Sequence, residues 1–163
     1  MSLTTFQQLT ALLHQQQARY RMVEHPACGK SEEVAKVRGT ELGQGAKALL
    51  CVVKGQGTKQ WVLAILPADK QADLSRLATA LGGLRAALAS PKEVSELTDC
   101  VFGAIPPFSF HPELKLVADR SLFERYSELA FNAGTLENSV ILNTEDYRRI
   151  AAPQLLDFVQ SAV

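Results

Sequence analysis

The chain has few aromatic residues, few cysteines and no surplus of charge, and each shortage removes a class of function. Aromatics make up 7% of the 163 residues, with a single tryptophan. That is too few to argue for an extended groove on which successive bases of a single strand stack. Seventeen Lys plus Arg balance seventeen Asp plus Glu. No global field therefore holds the protein on a polyanion, and any contact with nucleic acid has to come from a local patch or a partner's help. Cys28, Cys51 and Cys100 are odd in number, widely spaced and form no Cys-x-x-Cys pair, which indicates neither a disulfide framework nor a zinc site and leaves reduced thiols as the default. The three histidines, at 14, 25 and 111, never fall at metal-ligand spacing, so neither a metal nor another cofactor is expected. No apolar segment approaches the ~20 residues that span a bilayer. The stretch Met1 to His14 is polar and helical in pattern rather than basic and then apolar, so no targeting signal is read there. A soluble, cytoplasmic protein is expected, without membrane or DNA as partner. No Gly-x-Gly-x-x-Gly opens a helix after a strand and no Gly-x-x-x-x-Gly-Lys-Ser/Thr is present, so the common phosphate-cradling loops are missing.

What is present is an ordinary globular composition, 47% hydrophobic and 21% charged, in a length suited to one domain over 1–163 with a substantial core. The chain is organised around Gly43-Gln44-Gly45-Ala46-Lys47-Ala48-Leu49-Leu50-Cys51-Val52-Val53, where a glycine-punctuated loop enters an apolar run with one lysine at its mouth. The run reads as a buried strand. Lys47 is either a strand-end lysine whose ammonium snorkels into water or a cation facing a cleft, where partial desolvation strengthens its pull on a phosphate or a polarised carbonyl. Gly39, Gly43 and Gly45 read as turn residues that free the backbone for positive φ.

The spacing predicts a first helix capped by Thr4 or Thr5, with Phe6, Leu9, Leu12 and Leu13 on one face. A short strand at Tyr20 to His25 follows, then a helix from Ser31 with Gly39 as its stop. Two strands meet in a hairpin whose loop runs from Lys54 to Gln60, the second strand being Trp61 to Leu66. A helix is expected from Pro67–Asp69 to Gly82, and another from the capping box Ser90-Pro91-Lys92-Glu93 to about Thr98. Strands are predicted at Cys100 to Phe102, Leu114 to Ala118, Glu128 to Phe131 and Ser139 to Leu142, with a turn at Asn132-Ala133-Gly134. A helix starts at Thr144, and Pro153 to Val163 forms a last helical stretch. Strands interleaved with helices in one domain give an α/β or α+β mixed sheet, and the hairpins argue against purely parallel winding.

Two further segments bear chemistry. His25-Pro26-Ala27-Cys28 places a histidine three residues before a cysteine; catalytic pairs of this type usually meet through the fold rather than by local spacing, so a loop or pocket wall is the better reading. In Gly103-Ala104-Ile105-Pro106-Pro107-Phe108 a glycine permits close backbone approach and two prolines stiffen a loop, an arrangement equally suited to a structural turn or to a site on a rigid scaffold.

Gly45-Ala46-Lys47-Ala48-Leu49, Gly103 to Phe108, Phe131-Asn132-Ala133-Gly134 and Asp146-Tyr147, taken in order and spacing, resemble the YbaK/ProX editing-domain family. That family includes the insertion domain of bacterial prolyl-tRNA synthetases and free-standing aminoacyl-tRNA deacylases, of which the chain looks most similar to the YeaK type. The resemblance implies a mixed sheet partly rolled into a barrel and flanked by helices. It implies hydrolysis of the 3′-terminal ester of tRNA carrying a wrongly attached small amino acid, with the aminoacyl-tRNA 3′ end as partner and a synthetase as a further one. It matches Lys47 to the essential family lysine, Gly103 and Pro106 to a Gly-x-x-Pro loop, and Asn132, Ala133 and Gly134 to a turn at the pocket rim. The resemblance also implies that His25 and Pro26 fall near the aminoacyl group, and that Ala104, Ile105, Pro107 and Phe108 complete the substrate-binding loop. Pro107 stands where many members have glycine, and neither Pro106 nor Pro107 can donate an N–H; the amides of Gly103, Ala104, Ile105 and Phe108 are the donors left. The alternative is a non-catalytic cleft that binds an aminoacyl or nucleotide ligand or a synthetase.

Overall fold

A computed structural model of the chain describes residues 4–160. Among these, five helices and eight strands follow in the order α1 (Thr5–Gln15), β1 (Tyr20–Glu24), α2 (Ser31–Arg38), β2 (Ala46–Gly55), β3 (Thr58–Pro67), α3 (Leu74–Ala80), β4 (Arg85–Leu88), α4 (Pro91–Thr98), β5 (Leu114–Asp119), β6 (Glu128–Asn132), β7 (Asn138–Asn143), α5 (Thr144–Ala151) and β8 (Gln154–Leu156). The strands make two sheets, a five-stranded one in the order β4-β2-β3-β5-β8 and a three-stranded one in the order β1-β7-β6. A single parallel bridge, Gly45 to Ala130, joins them. The larger sheet is mixed: β2 pairs antiparallel with β3 and β4, whereas β5 runs parallel to β3 and β8 parallel to β5.

The β2–β3 hairpin turns on Gln56 and Gly57 alone, because Gly55 pairs with Thr58. The strands thus extend through most of the expected loop. β3 is buried continuously from Val62 to Pro67, and its alternation divides two cores. Leu63 and Ile65 pack with Leu50, Phe108, Leu129 and Tyr147 on one face, while Val62, Ala64 and Leu66 pack with Cys51, Val53, Leu77 and Phe158 on the other. A strand covered on both faces reads as an unbroken apolar run, and Trp61 to Leu66 is such a run.

Three expectations fail. The helix after β3 starts at Leu74, capped by the Asp73 carboxylate, which accepts from the Arg76 amide; Pro67 still pairs with Ala46 at the end of the hairpin. Residues 100–102 form a turn rather than a strand, and the nearby strand is β4, which pairs with β2. The final segment is not helical over its described part. β8 lies beside β5, and the buried Asp119 carboxylate accepts from the amides of Phe158 and Val159 at 2.7 and 3.0 Å, holding the chain extended. Residues 161–163 lie outside the described residues.

Candidate active site

A cleft opens where the start of β2, the bridge to β6, α2 and the Gly103 loop converge, with about 670 Å³ of space counted to its open mouth. Its walls include Val34, Ala35 and Arg38 of α2, Gly45 to Leu49 of β2, Phe102, Gly103 and Ile105 of the loop, and Ala130 to Asn132 of β6. The lining carries two cations, Lys47 and Arg38, and no carboxylate. In a chain of zero formal charge, this is the local positive patch that an anionic or strongly polarised ligand requires.

The approach to Lys47 is set by close packing. A Cβ at Gly45 would stand 2.8 Å from the Ala68 Cβ, so the loop needs glycine there for contact; its φ of −63° is one any residue adopts. Positive φ is therefore not the reason for this glycine. The half-buried Lys47 ammonium donates to the Lys70 carbonyl at 2.7 Å. Burial pulls its pKa below the ordinary lysine value, and the Asp69 carboxylate nearby opposes that shift. Asp69 is itself held by a two-point ion pair with Arg125, both contacts 2.7 Å. The lysine is thus a wall residue with a fixed tether rather than a freely solvated strand end.

Arg38 is the residue that sequence reasoning missed. It ends α2, where a basic side chain reads as a complement to the helix C-terminus. Instead, its guanidinium turns into the cleft, its Nε donating to Ser139 Oγ at 2.7 Å and its Nη2 to Asn132 Oδ1 at 3.2 Å. Burial draws its pKa down to about 10, still well above neutrality. Asn132 in turn donates from Nδ2 to the carbonyls of Gly103 and Cys28, at 2.8 and 3.0 Å. One amide side chain therefore ties β6, the Gly103 loop and the segment after β1 together beneath the arginine.

Gly103 has φ +90°, and a Cβ there would lie 3.1 Å from the Gly29 carbonyl oxygen. Both facts require glycine. Its amide meets no protein acceptor among the described residues, whereas the Ala104 amide donates to the Val101 carbonyl and is not available to a ligand. Of the remaining predicted site residues, Ile105 and Asn132 line the cleft with Lys47 and Gly103. Ala104, Pro106, Pro107 and Phe108 are buried behind it. The Pro107 carbonyl accepts from the buried Tyr147 hydroxyl at 2.7 Å, and the Phe108 ring packs edge-on to Tyr147. Ile105, Pro106 and Phe108 also line a second cavity on the α1–α4 side. Ala133 is fully buried, and Gly134 packs on the start of α1, where a Cβ would stand 3.0 Å from the Phe6 nitrogen.

His25 lies one hydrogen bond behind the cleft. Its Nδ1 donates to the Pro26 carbonyl at 2.9 Å and its Nε2 meets Ser139 Oγ at 2.7 Å. Both ring nitrogens are therefore engaged away from Cys28, and no histidine–cysteine dyad forms. Cys51 and Cys100 are buried, the first with its thiol pushed up to about 12. Pro26 is exposed beside His25.

Among the described residues, a mixed α/β fold thus carries, where its two sheets meet at Gly45 and Ala130, a cleft with two cations and no carboxylate, suited to an anionic or strongly polarised ligand. Residues 25–150 match the aminoacyl-tRNA editing domain, and the chain belongs to that family. It is 66% identical over 158 residues to the Multifunctional Ser/Thr-tRNA deacylase ProXp-y of Escherichia coli (strain K12), covering 97% of this chain and 95% of that protein. Among solved structures it superposes on the hypothetical protein APE2540 with a TM-score of 0.83 at 19% identity, over 93% of this chain and 99% of that one. It also superposes on a candidate trans-editing enzyme for prolyl tRNA synthetase with a TM-score of 0.80 at 24% identity, over 98% of this chain and 100% of that one. These two likenesses define the fold.

Proposed function

We propose that this chain is a trans-acting aminoacyl-tRNA deacylase that removes a small amino acid, serine or threonine first among them, from the 3′ end of mischarged tRNA. The observation that carries the reading is the cleft with two cations, no carboxylate and an unpaired Gly103 amide, in a chain so close to a Ser/Thr-tRNA deacylase. Water attacks the ester carbonyl carbon, the bond from that carbon to the ribose oxygen breaks, and the ribose oxygen takes the proton. The products are the free amino acid and tRNA with a free hydroxyl. The nucleophile is an ordered water, assisted by the neighbouring ribose hydroxyl, and no protein serine or cysteine enters the reaction.

Lys47 holds the terminal phosphate and so fixes the ester's position. The Gly103 amide donates to the carbonyl oxygen, and Ile105 bounds the space for the amino acid. Asn132 fixes the Gly103 loop, Ala104 and Pro106 to Phe108 brace it from behind, and Ala133 and Gly134 seat β6 against α1. His25, with Pro26 accepting its Nδ1 hydrogen, acts through Ser139 rather than on the substrate. A pocket that distinguishes side chains by one methylene gains only ~1–3 kcal/mol, so overlap among small amino acids is expected. The two sheets, joined at Gly45 and Ala130, form a partly rolled barrel around this cleft, and the single domain works in the cytoplasm. Its neutral surface suits delivery of the acceptor end by a synthetase.

The test is amino-acid release from tRNA charged with serine, threonine, alanine, cysteine or proline. Wild type should hydrolyse one or more of the small esters, and Lys47→Ala should abolish turnover while keeping the melting temperature. Tight binding of an aminoacyl-adenosine mimic without turnover on any ester would make the cleft a binding module instead.

A further inference from the structure

Withdrawing a cation from water without a counter-ion is costly, and Arg38, half-buried in the cleft wall, is such a cation. The hydrogen-bond partners of its guanidinium are a serine hydroxyl and an asparagine carbonyl, both neutral. No carboxylate lines the cleft with it, and the titratable neighbour that acts on it is the Cys28 thiol. A guanidinium carries five N–H donors. One on Nε and one on Nη2 are used, which leaves three without a protein acceptor among the described residues. Among the described residues, the buried side-chain nitrogen or oxygen atom lacking a partner is Thr40 Oγ1, so the unpaired Nη1 is open to the cleft rather than sealed in protein.

The orientation is also over-determined. Asn132 spends its Nδ2 hydrogens on Gly103 and Cys28, which forces its Oδ1 toward Arg38. Ser139, fully buried, receives Nε. The fork is thereby presented from the same framework that positions the Gly103 loop, with no reorganisation left to perform when charge appears. A preorganised charge of this kind is worth most against an anion that exists only in the transition state.

We propose that Arg38 is a catalytic residue of the deacylation: its free N–H groups donate, together with the Gly103 amide, to the ester carbonyl oxygen as that oxygen becomes negative under attack by water. This inference rests on the deacylase reading above. The proton balance is unchanged, since Arg38 stays charged throughout and only its hydrogen bonds strengthen.

The experiment is single-turnover hydrolysis of seryl-tRNA at saturating enzyme, with affinity for the same tRNA measured separately from the concentration dependence, for wild type, Arg38→Gln, Arg38→Lys and Ser139→Ala. The expected result is a loss of about 10²–10³-fold in the saturated rate for Arg38→Gln, the size seen when one donor to an oxyanion is removed, with affinity within a few-fold of wild type. Arg38→Lys should recover part of the rate. Ser139→Ala, which keeps the charge but frees its orientation, should fall between Arg38→Gln and wild type. If Arg38→Gln does not fold, Ser139→Ala and Arg38→Lys decide, and wild-type saturated rates in both overturn the proposal. A loss confined to affinity would make Arg38 an anchor for phosphate and also overturns it. Absence of wild-type turnover overturns the deacylase reading itself, and this inference with it.

Discussion

At the scale of single residues, the cleft depends on two glycines that touch. Gly103 and Gly29 let the loop after α4 lie on the segment after β1, and Gly103 does so at φ +90°. Gly103→Ala places a methyl group against the Gly29 backbone in a conformation that costs an L-residue roughly 1–2 kcal/mol. That amounts to about 2–8 °C in melting temperature for a chain of this size. The same change at Gly57, φ +67° in an open turn with nothing within 4 Å, is the control for strain alone. Thermal melts with deacylation assays should show both variants destabilised and only Gly103→Ala impaired in turnover. Equal activity in the two would remove the loop from the site.

The same scale explains which site residues could be read in advance. Lys47 stood out because a lysine interrupts an apolar run, and such an interruption is visible locally. Arg38 was not legible, since an arginine at the end of a short helix is the ordinary choice there. What makes it unusual is the company of Ser139 and Asn132, about a hundred residues on. Pro106 to Phe108 were legible as a stiff loop, but only the Tyr147 hydroxyl on the Pro107 carbonyl shows that their stiffness serves the rear wall.

Among elements, those with a local signal, a helix cap or an apolar strand run, were found, and the short strands β4 and β8 were not. α4 begins where Ser90 and Glu93 complete a capping box, and α2 ends on Gly39 in the left-handed conformation. By contrast β8 exists because it pairs with β5 and because Asp119 receives two amides from its continuation, and no pattern within Pro153 to Phe158 announces that. α5 carries its own long-range anchor. The Asp146 carboxylate accepts from the Arg19 backbone amide, Nε and Nη2 at 2.8 to 3.0 Å. Those hydrogen bonds hold its pKa at about 2, well below the usual carboxylate value of 3.8. A carboxylate depressed by folding stabilises the native state above its unfolded pKa and loses that contribution as pH falls through the folded value. The difference in urea midpoint between wild type and Asp146→Asn should therefore be full at pH 5.5 and shrink steadily from about pH 4 toward pH 2. A constant difference across that window would mean the ionised carboxylate contributes nothing beyond its shape.

For the molecule as a whole, the neutral balance of charge and the cationic cleft make opposite statements about tRNA, and salt dependence separates them. Each phosphate neutralised on a single strand contributes about −0.7 to the slope of log affinity against log salt. Lys47 and Arg38 are the cations that line the cleft, so contacts made there limit the slope to about −1.4. If Arg38 meets the carbonyl oxygen rather than a phosphate, Lys47 alone accounts for about −0.7 of it. Affinity for seryl-tRNA measured between 50 and 200 mM salt, roughly the range over which such slopes are read, should then be shallow in wild type. It should be shallower by about 0.7 in Lys47→Met and unchanged in slope in Arg38→Gln. A wild-type slope steeper than about −3 would require several phosphate contacts outside the cleft. A shallow slope would instead leave the body of the tRNA largely untouched, so that selection of the right tRNA falls to the acceptor end or to a further protein that presents it.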